Sequence, residues 1–221
     1  MSTGFSTGLP TDPGRRYRAP VHTVLLSAAL GAAAGPWIRA SMHRYATEPA
    51  LVRCALAAAV TLGALAWRFD DPWTLLAYGW AGLTGVALAF VDVAVHRLPD
   101  RLTAALAVGV LGSLSAAAVA GHRYPELGRA MVAALATAGF YAVLVSRGGM
   151  GPGDVKLAVG VGAALGWAGW WPAFLGVLAA FLLAAGHAGV LLALRRIRRD
   201  DHLPHGPAML LGAFVVLVAT G

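Results

Sequence analysis

The chain has 221 residues, of which 58% are hydrophobic and only 12% charged, and its mean hydropathy is +0.69. This composition leaves too few polar residues to cover a water-soluble globule, and it predicts an all-α, polytopic membrane protein in a lipid bilayer. The net charge of +7 does not indicate nucleic acid, because the arginines form short clusters between apolar segments. The single cysteine, Cys54, excludes an intramolecular disulfide and a paired Cys-x-x-Cys zinc site.

The chain divides into a polar tail and a long apolar region. Residues 1–20 contain too few apolar side chains to fold alone and predict a disordered N-terminal tail. Residues 21–221 predict a single helical membrane domain, whose first span resembles a signal peptide but is expected to stay uncleaved. About eight spans are predicted, near residues 21–38, 50–67, 73–92, 102–120, 127–146, 155–168, 173–194 and 207–219.

The sixth and seventh spans are separated on grounds of length. Residues 155–194 are apolar apart from Lys156 and His187. As one helix they would be about 60 Å long, about twice the thickness of the hydrocarbon core. We therefore expect a break at residues 169–172, where two tryptophans suit the membrane interface and Pro172 suits a first helical turn.

The distribution of basic residues predicts the orientation of the spans. The odd-numbered loops hold 11 of the 17 lysines and arginines, so these loops are expected on the cytoplasmic side and the N-terminus outside. Two spans lie between Asp92 and Asp154. Because two is an even number, both carboxylates emerge on the same face whichever way the protein inserts.

A glycine-rich loop, residues 148–156, places Asp154 at the start of the sixth span. Gly149, Gly151 and Gly153 lack Cβ atoms, so a peptide backbone can come close to the carboxylate. Asp92 is the other acid at this membrane edge, where charge is costly enough to favour a functional role. A flexible hairpin between two helices is the structural alternative, since short motifs are weak evidence by themselves.

Two neighbouring carboxylates supply the groups that an aspartyl peptidase needs. At hydrogen-bonding distance they do not both ionise easily, so they share one proton. The ionised partner takes a proton from water, while the protonated one donates to the scissile carbonyl oxygen or the leaving amine. This chemistry requires no metal, no cofactor and no covalent intermediate.

Three segments resemble the type IV prepilin leader peptidase family, of the Gly-x-Gly-Asp class of membrane aspartyl proteases. The first is residues 92–103, in which Asp92 is followed after five residues by Leu-Pro-Asp-Arg-Leu-Thr. The second is residues 149–158, around Asp154, and the third is residues 203–207, with the sequence Leu-Pro-His-Gly-Pro. The resemblance covers about two thirds of the chain, from residue 73 onward. It implies a bacterial cytoplasmic-membrane enzyme with Asp92 and Asp154 as its catalytic pair.

The resemblance also implies a substrate. Members of the family cleave precursors of type IV pilins and pseudopilins, typically after a glycine that borders an apolar helix. Gly149, Gly151, Gly153 and Lys156 would then position the loop and the substrate. Larger members carry a zinc-binding cysteine domain between their first two spans and also methylate the new N-terminus. Here residues 39–49 form a short loop without cysteines, so methyl transfer is not expected.

Several polar residues near these segments have structural interpretations. Asp100 is expected to cap the N-terminus of the fourth span. Lys156 is expected either to stabilise the ionised form of Asp154 by its charge or to reach the lipid headgroups. His202 and His205 lack an evident third ligand, so a metal site is not predicted.

Three alternative functions compete with a prepilin peptidase. A small proton- or cation-coupled transporter also uses paired carboxylates, but no inverted repeat is evident in the sequence. A protease similar to the presenilin group would have its two aspartates on consecutive helices, whereas here two spans separate them. A noncatalytic assembly factor is distinguished only by an activity test.

Overall fold

A computed structural model of the chain describes residues 20–42, 45, 51–148, 150–196 and 203–220. Within these residues the chain forms nine α-helices and no β-strand, which confirms the all-α prediction. The predicted tail lies outside the described residues except for Pro20, which precedes the first helix. The helices are α1 (Val21–Ala33), α2 (Gly35–Met42), α3 (Leu51–Arg68), α4 (Pro72–Val95), α5 (Asp100–Gly121), α6 (Tyr124–Ser146), α7 (Pro152–Ala168), α8 (Trp170–Ala193) and α9 (Gly206–Thr220).

Each of the eight predicted spans is helical over nearly all of its described residues. Six of the described segments are long and apolar enough to cross a membrane: α1 and α2 taken together, α3, α4, α5, α6 and α8. The helices α7 and α9 have 17 and 15 residues. At 1.5 Å per residue they are about 26 and 23 Å long, which is less than the thickness of the hydrocarbon core. Together these features define a polytopic membrane protein.

Glycine and proline explain where two helices are interrupted. The first predicted span is broken at Ala34 and continues to Met42, because Pro36 has no N–H and its ring disfavours a continuous helix. The predicted break near Gly169 is confirmed: α7 ends at Ala168 and α8 begins after Gly169. The φ angle of Gly169 is 154°, a conformation that residues with a side chain rarely adopt.

The predicted N-cap of the fourth span is wrong by one residue. The helix α5 begins at Asp100, and its N-cap is Pro99, which has an extended backbone with φ −66° and ψ 132°. No side chain caps the helix. Asp100 lies instead within the first turn, where a carboxylate still interacts favourably with the helix dipole.

The helix α7 is packed tightly in the centre of the bundle by small residues. A Cβ atom on Gly162 would lie 2.9 Å from the carbonyl oxygen of Ala133, and one on Gly166 would lie 2.4 Å from the Cβ of Ala133. Such contacts let α6 and α7 approach closely, which stabilises helix packing in a bilayer. At the far end of α7, Arg129 donates hydrogen bonds to the carbonyls of Gly166 (2.7 Å) and Trp167 (2.6 Å). The helix that carries Asp154 is therefore held along its length.

Candidate active site

Asp92 lies in the last turn of α4, and the first residue of α9 binds it. Its Oδ2 atom accepts a hydrogen bond from the backbone N–H of Gly206, with an N–O distance of 3.1 Å. The first amides of a helix have no partner within the helix, and the helix dipole favours a negative charge there. Asp92 is only 4% exposed, so this amide supplies a partner that water would otherwise provide.

Asp154 lies in the first turn of α7 and is bound by the glycine-rich loop. Its Oδ2 atom accepts from the N–H of Gly151 at 3.2 Å, and its own N–H donates to the carbonyl of Gly151 at 3.1 Å. Asp154 is 7% exposed. Each aspartate thus accepts a hydrogen bond from a backbone N–H at the start of a helix.

The two carboxylates line one cavity of about 600 Å³. It is formed by the end of α4, the start of α5, the loop before α7 and the segment before α9. Asp92 and Asp154 are close enough to interact electrostatically. The prediction that both acids emerge on the same face is therefore confirmed.

A second cavity, of about 460 Å³, lies between α3, α4, α7 and α9. Its lining is almost entirely apolar and contains no carboxylate, histidine or cation. Acid–base chemistry between carboxylates therefore belongs to the first cavity.

The glycines of the loop have different surroundings. Gly151 contacts the carboxylate of Asp154 through its amide, as expected from the close approach that a glycine allows. Gly153 packs against the α4–α5 loop, where an added Cβ would lie 2.9 Å from the Cβ of Leu98. Both line the carboxylate cavity. Gly149 lies outside the described residues.

Lys156 has a partner that the sequence interpretation did not foresee. Its Nζ atom donates to Oδ1 of Asp100 at 2.5 Å, which joins α7 to the start of α5. Both side chains stay partly exposed and line the cavity. The sequence analysis expected Lys156 either to act on Asp154 by its charge or to reach the lipid headgroups. It did not predict an ion pair with Asp100.

The sequence analysis did not single out Tyr141, and it considered His205 only as a possible metal ligand. The hydroxyl of Tyr141 lies 2.9 Å from Nε2 of His205, and His205 lines the carboxylate cavity. Tyr141 also interacts electrostatically with Asp154. The available signal was a tyrosine within a largely apolar span, since a buried hydroxyl needs a partner. Among the described residues no group of three or more His, Cys, Asp or Glu could hold a metal, and His202 lies outside them.

Fold and cavity together define a class of protein: a helical, polytopic membrane protein with a buried pair of aspartates at one end of the bundle. Residues 75–194, more than half of the chain, match the type IV leader peptidase family. The chain belongs to that family, as its sequence motifs predicted. The matched region includes Asp92 and Asp154 but ends before His205 and Gly206.

Curated relatives give the same family. The chain is 26% identical over 171 residues to the prepilin leader peptidase/N-methyltransferase of Neisseria gonorrhoeae, covering 72% of this chain and 54% of that protein. It is 30% identical over 159 residues to the protein of that name from Aeromonas hydrophila, covering 65% and 51%. It is 27% identical over 175 residues to the protein of that name from Pseudomonas aeruginosa, and this match covers 74% of this chain and 56% of that protein. The chain spans about half the length of these relatives, and no solved structure matches it significantly.

Proposed function

We propose that this chain is an aspartic endopeptidase of the bacterial cytoplasmic membrane that cleaves the leader from type IV prepilin or pseudopilin precursors. The observation that carries the proposal is that Asp92 and Asp154 line the same cavity, each held by an amide at a helix start. Membership of the leader peptidase family and the names of the relatives support this substrate class.

In the proposed mechanism the two aspartates share one proton and bind a water between them. The ionised carboxylate takes a proton from the water as its oxygen attacks the scissile carbonyl carbon. The protonated carboxyl donates its proton to the carbonyl oxygen, which gives a neutral tetrahedral diol. When the diol collapses, the C–N bond breaks and the protonated carboxyl donates its proton to the leaving amine. The ionised carboxylate takes a proton from a hydroxyl of the diol, which becomes the new carboxyl group, so the pair again shares one proton.

The amides of Gly151 and Gly206 support this mechanism by orienting the carboxylates. Each amide binds one Oδ2 atom, so neither carboxylate rotates freely in the cavity. Fixed hydrogen-bond donors of this kind also avoid reorganisation at the moment of reaction. We propose that Gly149, Gly151 and Gly153 leave room for an extended peptide and that Lys156 holds the loop against α5.

The proposed orientation places the cavity at the cytoplasmic face and the N-terminus outside. It rests on the excess of basic residues in the odd-numbered loops. A precursor whose basic leader stays in the cytosol before its apolar helix enters the membrane would present its cleavage site at that face.

Coexpression with a pilin-like precursor from the same genome tests the function. We expect the precursor to shorten on a gel, and mass spectrometry to locate the cut after a glycine that borders an apolar helix. An unprocessed precursor beside a correctly inserted protein would contradict the proposal and favour a noncatalytic assembly factor.

A further inference from the structure

A buried tyrosine of α6 contacts the histidine that precedes α9. The Tyr141 hydroxyl and the His205 Nε2 atom are 2.9 Å apart, although 64 residues separate them in the chain. Tyr141 is fully buried. A buried phenol needs a hydrogen-bond partner, and His205 supplies it.

Aromatic packing from α8 fixes both rings. The ring of Phe181 stacks on Tyr141 with a centroid distance of 5.9 Å and an interplanar angle of 24°. The centroid of Phe181 also lies 5.1 Å from that of His205. Side chains from α6, from α8 and from the residue before α9 therefore meet at this contact, which leaves the imidazole little freedom to rotate.

The contact is linked to Asp92 through one peptide unit. The carbonyl of His205 accepts a hydrogen bond from the N–H of Met209 at 3.0 Å, so His205 is the residue that directly precedes α9 and accepts its first backbone hydrogen bond. The next residue is Gly206, whose N–H binds Asp92. Holding the His205 side chain therefore holds the start of α9 and the direction in which the Gly206 amide points.

We propose, on the basis of the peptidase function above, that Tyr141 and His205 are a positioning pair for Asp92. The Tyr141 hydroxyl donates to Nε2 of a neutral His205 that carries its proton on Nδ1. Through His205 the hydrogen bond keeps the Gly206 amide on Asp92, so that the carboxylate is in place to share its proton with Asp154. Neither residue needs to touch the substrate.

The surroundings of His205 agree with this protonation state. Burial lowers the pKa of His205 below its ordinary value, which favours the neutral ring. A neutral imidazole has one nitrogen that accepts and one that donates, so the hydroxyl and Nε2 are complementary.

Kinetics with a cleavable precursor test the pair through four variants: Tyr141→Phe, His205→Phe, their combination, and His205→Gln. We expect kcat to fall about tenfold in each phenylalanine single variant, the usual effect of losing one buried hydrogen bond. The double variant should lose about the same tenfold, because the two residues act as a unit. In Tyr141→Phe the KM should stay unchanged. His205→Gln should be more active than His205→Phe, because the side-chain carbonyl oxygen of glutamine can accept a hydrogen bond from Tyr141.

Tyr78→Phe is the matched control. Tyr78 is a buried tyrosine of α4 whose hydroxyl donates to the carbonyl of Ala164 at 3.2 Å, away from the carboxylate cavity. It should lose a comparable hydrogen bond without losing kcat. Equal losses in Tyr78→Phe and Tyr141→Phe would show a general effect on folding and overturn the proposal, as would wild-type kcat in Tyr141→Phe or additive losses in the double variant.

A second measurement is independent of cleavage. Nitrogen NMR of protein labelled at its histidines, with His205→Gln to assign the signal, should show an unprotonated Nε2 and a protonated Nδ1. In Tyr141→Phe the Nε2 signal should shift. A proton on Nε2, or no shift, would overturn the pair even if the protein is a peptidase. If instead no precursor is cleaved by the wild-type protein while the shift is seen, the peptidase function fails and the Tyr141–His205 contact stands.

Discussion

The ammonium of Lys156 forms a 2.5 Å ion pair with Asp100, which ties α7 to the start of α5 at the edge of the carboxylate cavity. The two side chains are 49% and 75% exposed. Exposed ion pairs contribute about 1 kcal/mol or less to stability, because water and salt screen them. We therefore expect the pair to affect the position of the loop more than the stability of the fold.

Asp100→Asn should consequently cost less than about 1 kcal/mol of unfolding free energy and leave most of the cleavage rate. The exchange Asp100→Lys with Lys156→Asp should restore part of what each single change loses, and only at low salt. Thermal unfolding and cleavage rates at two salt concentrations measure this. A loss of activity in Asp100→Asn as large as in Asp92→Asn would contradict the prediction.

Asp92→Asn and Asp154→Asn should each reduce cleavage by several orders of magnitude, and the double variant should be little worse than either. The reason is that both acids are needed to share one proton and activate one water. Single-turnover rates of purified variants measure it, with Asp70→Asn as the control, since Asp70 is an exposed acid beyond the other end of α4.

Two results would change this assignment. Undiminished cleavage by Asp154→Asn would remove the aspartyl mechanism. Substantial cleavage by Asp92→Asn, together with loss in Asp100→Asn, would transfer the first catalytic role to Asp100.

Gly206→Ala should lower kcat by about a hundredfold, the scale expected when a catalytic group is displaced by about 1 Å. The new Cβ would lie 2.6 Å from Oδ2 of Asp92, so the carboxylate must move. Gly139→Ala in α6 is the control, because a Cβ there has no neighbour within 4 Å and alanine favours the helix. Cleavage assays of both variants decide it, and equal activity in the two would show that cleavage tolerates a displaced Asp92 carboxylate.

Single cysteines introduced at Arg101 and Arg147 should not react with an impermeant maleimide added to intact cells, whereas one at His122 should. The prediction follows from the count of basic residues in alternate loops. Cys54→Ser supplies the background, although Cys54 is already buried. Labelling of the first two positions from outside would reverse the orientation.

The purified chain should transfer no methyl group from S-adenosylmethionine to its product and should hold no stoichiometric zinc. Its one cysteine cannot form a thiolate cage for zinc. Mass spectrometry of the product and metal analysis measure the two outcomes. A methylated product from this chain alone would show that the cysteine domain of larger family members is not required.

The sequence alone determined the features that depend on local composition and on counting. Hydropathy located the helices to within a few residues, and helix length required the break at Gly169. An even number of spans put Asp92 and Asp154 on the same face. The cap of α5 was misplaced by one residue because Pro99, not Asp100, has the extended backbone that precedes the helix.

Only the tertiary structure decided which helices are neighbours and how each is rotated. Gly206 and Asp92 are 114 residues apart, Tyr141 and His205 are 64 apart, and Lys156 and Asp100 are 56 apart. In a soluble helix the apolar face points to the core, but in a bilayer both the lipid side and the packed side are apolar. Hydropathy therefore does not reveal which face packs, and small-residue contacts and buried hydrogen bonds between distant segments make the choice.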